Sequence, residues 1–272
     1  LKPVVDHEWL REHRDGVVLV DARWYPDGSS NRDAYVVGHL PGAIFVDLDT
    51  QLAGEASTLV GRHPLPDPEI FAASMAASGI GEGDTVVAYD DAGGVMAARL
   101  VWMLRATDHD AALLDGGVIA YGGALEVGAV ERPPANFSPR PWPADRLADV
   151  DEASSREHLV LDARDATRYR GEPNPLDPRV GHIPGARNVP CRENVSPAGT
   201  LVSVDELRRR FAGAGVTDGR DVIVYCGSGV TACHDLLALE HVGLGRGRLF
   251  VGSWSQYAND LDRPAMTGDA PG

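Results

Sequence analysis

The chain has 272 residues, 43% of them apolar and 24% charged, with a formal net charge of -15. That length suits one large domain or two ordinary ones, and the composition is globular. The acidic balance argues against non-specific nucleic-acid binding, which draws on basic patches, and no apolar run approaches the roughly 18 residues of a membrane span. The opening stretch from Asp6 to Arg14 is polar and charged, unlike a secretory signal. Three cysteines, Cys191, Cys226 and Cys233, are too few and odd in number for a disulfide framework. They point to a reducing cytoplasm. Cys226 and Cys233 do not have zinc-ligand spacing, and no second Cys/His pair completes such a site.

In chain order, Val17 to Val20 is a short apolar run that ends on Asp21, as a buried strand does. Thr85 to Tyr89 is β-branched and apolar, which predicts a parallel strand buried on both faces. Met96 to Arg105 carries apolar residues at helical spacing. Pro133 to Pro143 holds five prolines in eleven residues, which excludes a helix interior or a central strand. It reads as a stiff, extended linker, with Phe137 and Trp142 to pin it on a domain surface. Leu159 to Leu161, ending on Asp162, repeats the first strand, and Val222 to Tyr225 repeats the second. Thr231 to Val242 is helical, with Gly243 as its stop.

These elements recur as sequence. Val18-Leu19-Val20-Asp21-Ala22-Arg23 returns as Val160-Leu161-Asp162-Ala163-Arg164. Gly38-His39-Leu40-Pro41-Gly42-Ala43 returns as Gly181-His182-Ile183-Pro184-Gly185-Ala186. Matches in the same order imply two copies of one domain. The boundaries are set at 1–131, a linker at 132–146, and 147–272. Alternating strands and helices give each copy an α/β fold, a parallel sheet flanked by helices on both faces. Sites in such folds lie outside the carboxyl ends of the strands.

The segment from Val222 to Ala232 runs a buried strand straight into Cys226, then Gly227-Ser228-Gly229-Val230-Thr231, then a helix. Glycines let the backbone turn tightly and aim successive N–H groups inward. Such a nest at a helix start favours a thiolate, and a persulfide would be held by the same donors. Cys191 and Cys233 read as packing residues. The first copy has Tyr89-Asp90-Asp91-Ala92-Gly93-Gly94 at the matching place. It offers no thiolate, and its two carboxylates should repel an anionic substrate. His39 and His182 belong to boxes shared by both copies, including the one without cysteine, so they are expected to hold the fold.

The Asp-Ala-Arg and Gly-His-[Leu/Ile]-Pro-Gly-Ala boxes, the Cys-Gly-Ser-Gly-Val-Thr-Ala loop and Gly252-Ser253-Trp254-Ser255-Gln256-Tyr257 together resemble tandem-domain rhodanese-type sulfurtransferases. The loop with neutral Gly227 and Ser228 is similar to that of 3-mercaptopyruvate sulfurtransferases. Thiosulfate sulfurtransferases usually carry basic residues there. The resemblance implies a Cys226 persulfide, with Gly227, Gly229, Val230 and Thr231 shaping its cradle. It implies carboxylate-binding arginines at Arg170 and Arg179, and a Ser228–His63–Asp49 relay. It further implies a small-molecule sulfur donor and a thiol acceptor such as thioredoxin, with no metal or organic cofactor, nucleic acid or membrane. A thiosulfate:cyanide sulfurtransferase is the alternative. A non-enzymatic binding module on the same scaffold, and a cysteine phosphatase, are weaker readings. The phosphatase needs an arginine closing the loop, and Gly227 to Ala232 has none.

Overall fold

A computed structural model describes residues 1–177 and 179–272. The chain divides into two compact units. The first comprises Leu1–Gly54, Pro66–Trp142 and Val195–Leu201; the second comprises Glu55–Leu65, Pro143–Asn194 and Val202–Gly272.

In the first unit, β1 (Val4–Val5), β2 (Val17–Asp21), β3 (Ile44–Phe45), β4 (Thr85–Tyr89) and β5 (Ala111–Leu114) form one parallel sheet in the order β1-β5-β4-β2-β3. The central strands β2 and β4 are apolar and almost wholly buried, as a sheet covered on both faces requires. Helices α1 (His7–His13), α2 (Asn31–Val37), α3 (Leu48–Gln51), α4 (Pro68–Ala77) and α5 (Ala98–Ala106) flank it. Every residue of α5 is buried, which explains its apolar run Leu100 to Leu104.

The second unit repeats the plan. Strands β6 (Leu147–Ala148), β7 (Leu159–Asp162), β8 (Arg187–Asn188), β9 (Val222–Tyr225) and β10 (Arg248–Phe250) form a parallel sheet in the order β6-β10-β9-β7-β8. Its helices are α6 (Ala166–Arg170), α7 (Val204–Gly213), α8 (Ala232–His241) and α9 (Ser253–Tyr257). Substituting β1 by β6, β2 by β7 and so on converts one strand order into the other, so the sequence repeat is a repeat of topology. Register agrees as well: Asp21 lies beside Tyr89, and Asp162 beside Tyr225.

The shared boxes form a frame at the carboxyl ends of these strands. Arg23 grips Asp21 through Nε and Nη2 and donates from Nη2 to the Gly38 carbonyl at 2.8 Å. Arg164 does the same with Asp162 and the Gly181 carbonyl. His39 stacks on Tyr35 and His182 on Tyr169, each with Nδ1 hydrogen bonded to that tyrosine's carbonyl oxygen. The Tyr89 hydroxyl accepts from Leu40 N–H, and the Tyr225 hydroxyl from Ile183 N–H. Both histidines are fully buried and occupied with the fold.

The linker expected at 132–146 is divided differently. Its part through Trp142 belongs to the first unit. Phe137 meets Phe71 edge-on with ring centres 5.9 Å apart, Trp142 lies 5.3 Å from Phe71, and its indole N–H donates to the Pro66 carbonyl. Those two aromatics turn a proline-rich strip into part of the domain surface.

Candidate active site

Cys226 directly follows β9, and its side chain is buried. The Gly229 N–H points at Cys226 Sγ from 3.2 Å. Gly229 has φ +76°, and a Cβ there would meet the Val251 carbonyl oxygen at 2.4 Å, so only glycine closes this turn. The loop is tied down from α9. Ser253 Oγ accepts the Cys226 N–H, Trp254 N–H donates to the Cys226 carbonyl, and Ser255 N–H to that of Gly227. Ser253 holds a left-handed φ of +52° to do this. The Gly252–Tyr257 segment stands out in the sequence, but this support does not; a serine at a fixed distance behind the loop is its only signal.

Ser228 is also buried, and its Oγ shares a 2.8 Å hydrogen bond with His63 Nδ1. His63 arrives on Glu55–Leu65, a segment that folds into the second unit. Asp49 lies in the first unit, where its carboxylate accepts the Trp24 indole N–H at 2.9 Å.

The two arginines expected to bind a carboxylate lie in different settings. Arg170 is half-buried at the end of α6 and pairs with Glu172 at 2.8 Å and Asp269 at 3.8 Å. Arg168 comes to the loop instead: a Cβ on Gly227 would stand 2.8 Å from its Nη2. Two residues apart on a helix, the two side chains project to nearly opposite sides. Arg62 reaches the same point, with Nη2 at 3.0 Å. Gly227 is therefore glycine for space. Arg179 donates from Nη1 to the Arg263 carbonyl and lies over the Trp254 and Tyr257 rings. Its Nε and Nη2 are buried with no partner among the described residues.

Asp177 holds Arg168 through Nε at 2.9 Å and Nη2 at 2.5 Å, and also meets Arg164 and Asn174. Burial pushes its carboxyl up, but the bond to Arg168 and the charges of Arg168 and Arg164 outweigh that and hold it below the usual carboxylate range. Cys191 and Cys233 are buried, and burial pushes the Cys191 thiol well up. Both fit the packing reading.

The first copy supplies an internal comparison. Asp90, the residue matching Cys226, is buried. Its Oδ1 accepts the N–H groups of Ala92 at 2.8 Å and Gly94 at 2.7 Å; its Oδ2 accepts those of Met96 at 2.7 Å and Ala97 at 2.9 Å. Asp91 takes the Tyr25 hydroxyl at 2.5 Å. The expected repulsive carboxylates are thus engaged: Asp90 fills its own nest. The loop geometry of this fold gathers backbone donors around one anion, here a carboxylate.

One buried group on α8 sets a pH dependence. Asp235 accepts from Asn194 Nδ2 at 2.6 Å, while its other oxygen has no partner among the described residues. Burial pushes its carboxyl well above the usual range, against the Asn194 bond and the Arg210 charge. The folded protein therefore keeps Asp235 protonated where the unfolded chain ionises it. Its stability contribution is complete below about pH 4 and falls with rising pH toward the folded value, by up to about 1.4 kcal/mol per unit. Asp235→Asn removes this slope. Urea unfolding at pH 5, 6 and 7 should show a gain over wild type that grows with pH; parallel curves would refute it.

A family model described as a rhodanese-like domain matches residues 6–124 and again 146–260. The chain belongs to the rhodanese family. This tandem rhodanese is 38% identical over 269 residues to a probable 3-mercaptopyruvate sulfurtransferase of Pseudomonas aeruginosa, covering 93% of each chain. It is 37% identical over 264 residues to a putative thiosulfate sulfurtransferase, SseB, of Mycobacterium tuberculosis, covering 94% of this chain and 93% of the relative. Its fold is similar to the structure of 3-mercaptopyruvate sulfurtransferase from Leishmania major, with a TM-score of 0.87 and 32% identity, covering 97% of this chain and 76% of that one. Cys226 and its loop lie in the second rhodanese domain. Among the described residues no helix is long and apolar enough to cross a membrane, and no group of three or more His, Cys, Asp or Glu could hold a metal ion.

Proposed function

We propose that this chain is a sulfurtransferase that takes sulfur from 3-mercaptopyruvate and passes it to a thiol acceptor, such as thioredoxin, or to cyanide in an assay. A reducing cytoplasm is the proposed setting, in keeping with three free cysteines. The reading rests chiefly on Cys226, set after a buried strand with the Gly229 N–H on its sulfur and Ser228 of the same loop hydrogen bonded to His63. The Cys226 thiolate attacks the donor sulfur; an S–S bond forms and the donor C–S bond breaks. The electron pair leaves on carbon as the enolate of pyruvate. A proton relayed through Ser228 and His63 completes pyruvate, with Asp49 as the proposed third member of the relay. The acceptor thiolate then takes the outer sulfur and restores the Cys226 thiolate.

Thiosulfate is the second reading. It is favoured by the Mycobacterium tuberculosis relative and by the two guanidinium ends over Gly227, which suit a dianion. Steady-state kinetics with both donors separates them. We expect kcat/KM for pyruvate release from 3-mercaptopyruvate to exceed that for thiosulfate with cyanide by tenfold or more, on the order of 1.4 kcal/mol. His63→Gln and Asp49→Asn should depress pyruvate release more than the thiosulfate reaction, whose sulfite leaving group needs no proton on carbon. Equal or reversed preference for thiosulfate would overturn the mercaptopyruvate reading.

A further inference from the structure

The side-chain ion pairs around Gly227 leave one arginine over. Arg164 is matched by Asp162, and Arg168 by Asp177. Arg62, on the segment that brings in His63, forms no ion pair among the described residues. Its guanidinium donates from Nη1 to the Leu176 carbonyl at 2.6 Å, and its backbone N–H donates to Ser255 Oγ at 3.0 Å. The first bond holds the side chain and the second the backbone, and neither neutralises the guanidinium. Burial lowers its pKa, opposed by the negative charges of Asp177 and Cys226. A half-buried cation beside a second guanidinium, with no carboxylate in contact, is suited to an anionic ligand.

Asp177 takes the Nε–Nη2 edge of Arg168, so much of that arginine's charge is already spent. Arg62 also borders a cavity of ≈ 400 Å³ lined by Gly61, Leu176, Asp177, Ser255 and Asn259.

We propose that Arg62 is a specificity-determining residue: its unpaired guanidinium binds the anionic end of the sulfur donor, a carboxylate in an α-keto thiol, over Gly227. The assignment rests on the sulfurtransferase reading above and extends it to the donor subsite. Arg168, held by Asp177, contributes geometry and a weaker charge. A guanidinium and a carboxylate form paired, charge-assisted hydrogen bonds that a lysine reproduces only in part.

The test is the KM-against-kcat split for 3-mercaptopyruvate in Arg62→Gln, Arg62→Lys and Asp177→Asn. Cyanolysis of a preformed Cys226 persulfide is followed in each variant as a measure of an intact loop. Arg62→Gln should raise KM at least tenfold with kcat within threefold of wild type, and Arg62→Lys should recover part of that loss. Asp177→Asn should lower KM severalfold, because Arg168 is released to join the subsite. This gain is one that a structural role for the Arg168–Asp177 pair would not produce. An unchanged KM in Arg62→Gln with persulfide cyanolysis intact overturns the proposal, as does a raised KM in Asp177→Asn. If wild type turns over thiosulfate alone, the mercaptopyruvate reading has failed. Arg62 is then judged by the same criteria on the thiosulfate KM.

Discussion

Cys226→Ser is expected to abolish sulfur transfer from both donors, by a thousandfold or more on the order-of-magnitude scale of lost nucleophiles, while leaving the fold in place. Serine is close to the size of cysteine and its Oγ can accept the Gly229 N–H that now reaches Sγ at 3.2 Å. The loop remains anchored through the Cys226 N–H and carbonyl, which are backbone groups. Stability should therefore stay within about 1 kcal/mol of wild type by urea unfolding. The chemistry cannot survive, because an alcohol in this nest is not ionised near neutral pH and oxygen does not carry a transferable sulfane sulfur. Cyanolysable sulfur on the purified protein should fall to background together with pyruvate release. Cys191→Ser and Cys233→Ser are the controls: both thiols are buried in packing positions and their loss should leave the sulfur count unchanged. Sulfur transfer that persists in Cys226→Ser would remove the basis of the functional reading.

The features legible in the sequence follow from local physical preferences. The β-branched runs at Thr85–Tyr89 and Val222–Tyr225 became strands over those residues, and Gly243, at φ +79°, ends α8. The doubled boxes became one frame built twice, because an arginine, its aspartate and a glycine carbonyl must meet at each strand end. Side-chain direction was less legible. Helix α6 has five residues, and choosing between Arg168 and Arg170 needs its rotational phase, which so short an element does not display. Arg62 carried no local signal, since its role depends on Glu55–Leu65 folding into the second unit. The Asp90-Asp91 pair reads, in sequence, as charge that repels an anionic substrate. Counting backbone donors in the matching loop would have suggested an inward carboxylate instead.

That inward carboxylate supports the second large expectation. Asp90→Asn should destabilise the protein by about 3–5 kcal/mol, although Asp90 is remote in sequence from the nucleophile and has no part in the proposed chemistry. The carboxylate accepts four backbone N–H groups, two on each oxygen, in a buried site. An asparagine keeps one oxygen for two of them and turns an NH2 group against the other two. Two buried donors then lose their acceptor and face another donor, at about 1–3 kcal/mol each. Urea unfolding followed by tryptophan fluorescence measures the loss, and sulfur transfer per folded molecule should remain at the wild-type level. The comparison reaches the second loop by homology of topology: Asp90 after β4 and Cys226 after β9 begin the same turn. A loop that needs a full negative charge at its centre in one copy is suited to a thiolate or persulfide in the other. A loss below about 1 kcal/mol would mean that these amides are content with a neutral acceptor, and the electrostatic case for sulfur anion stabilisation at Cys226 would weaken with it.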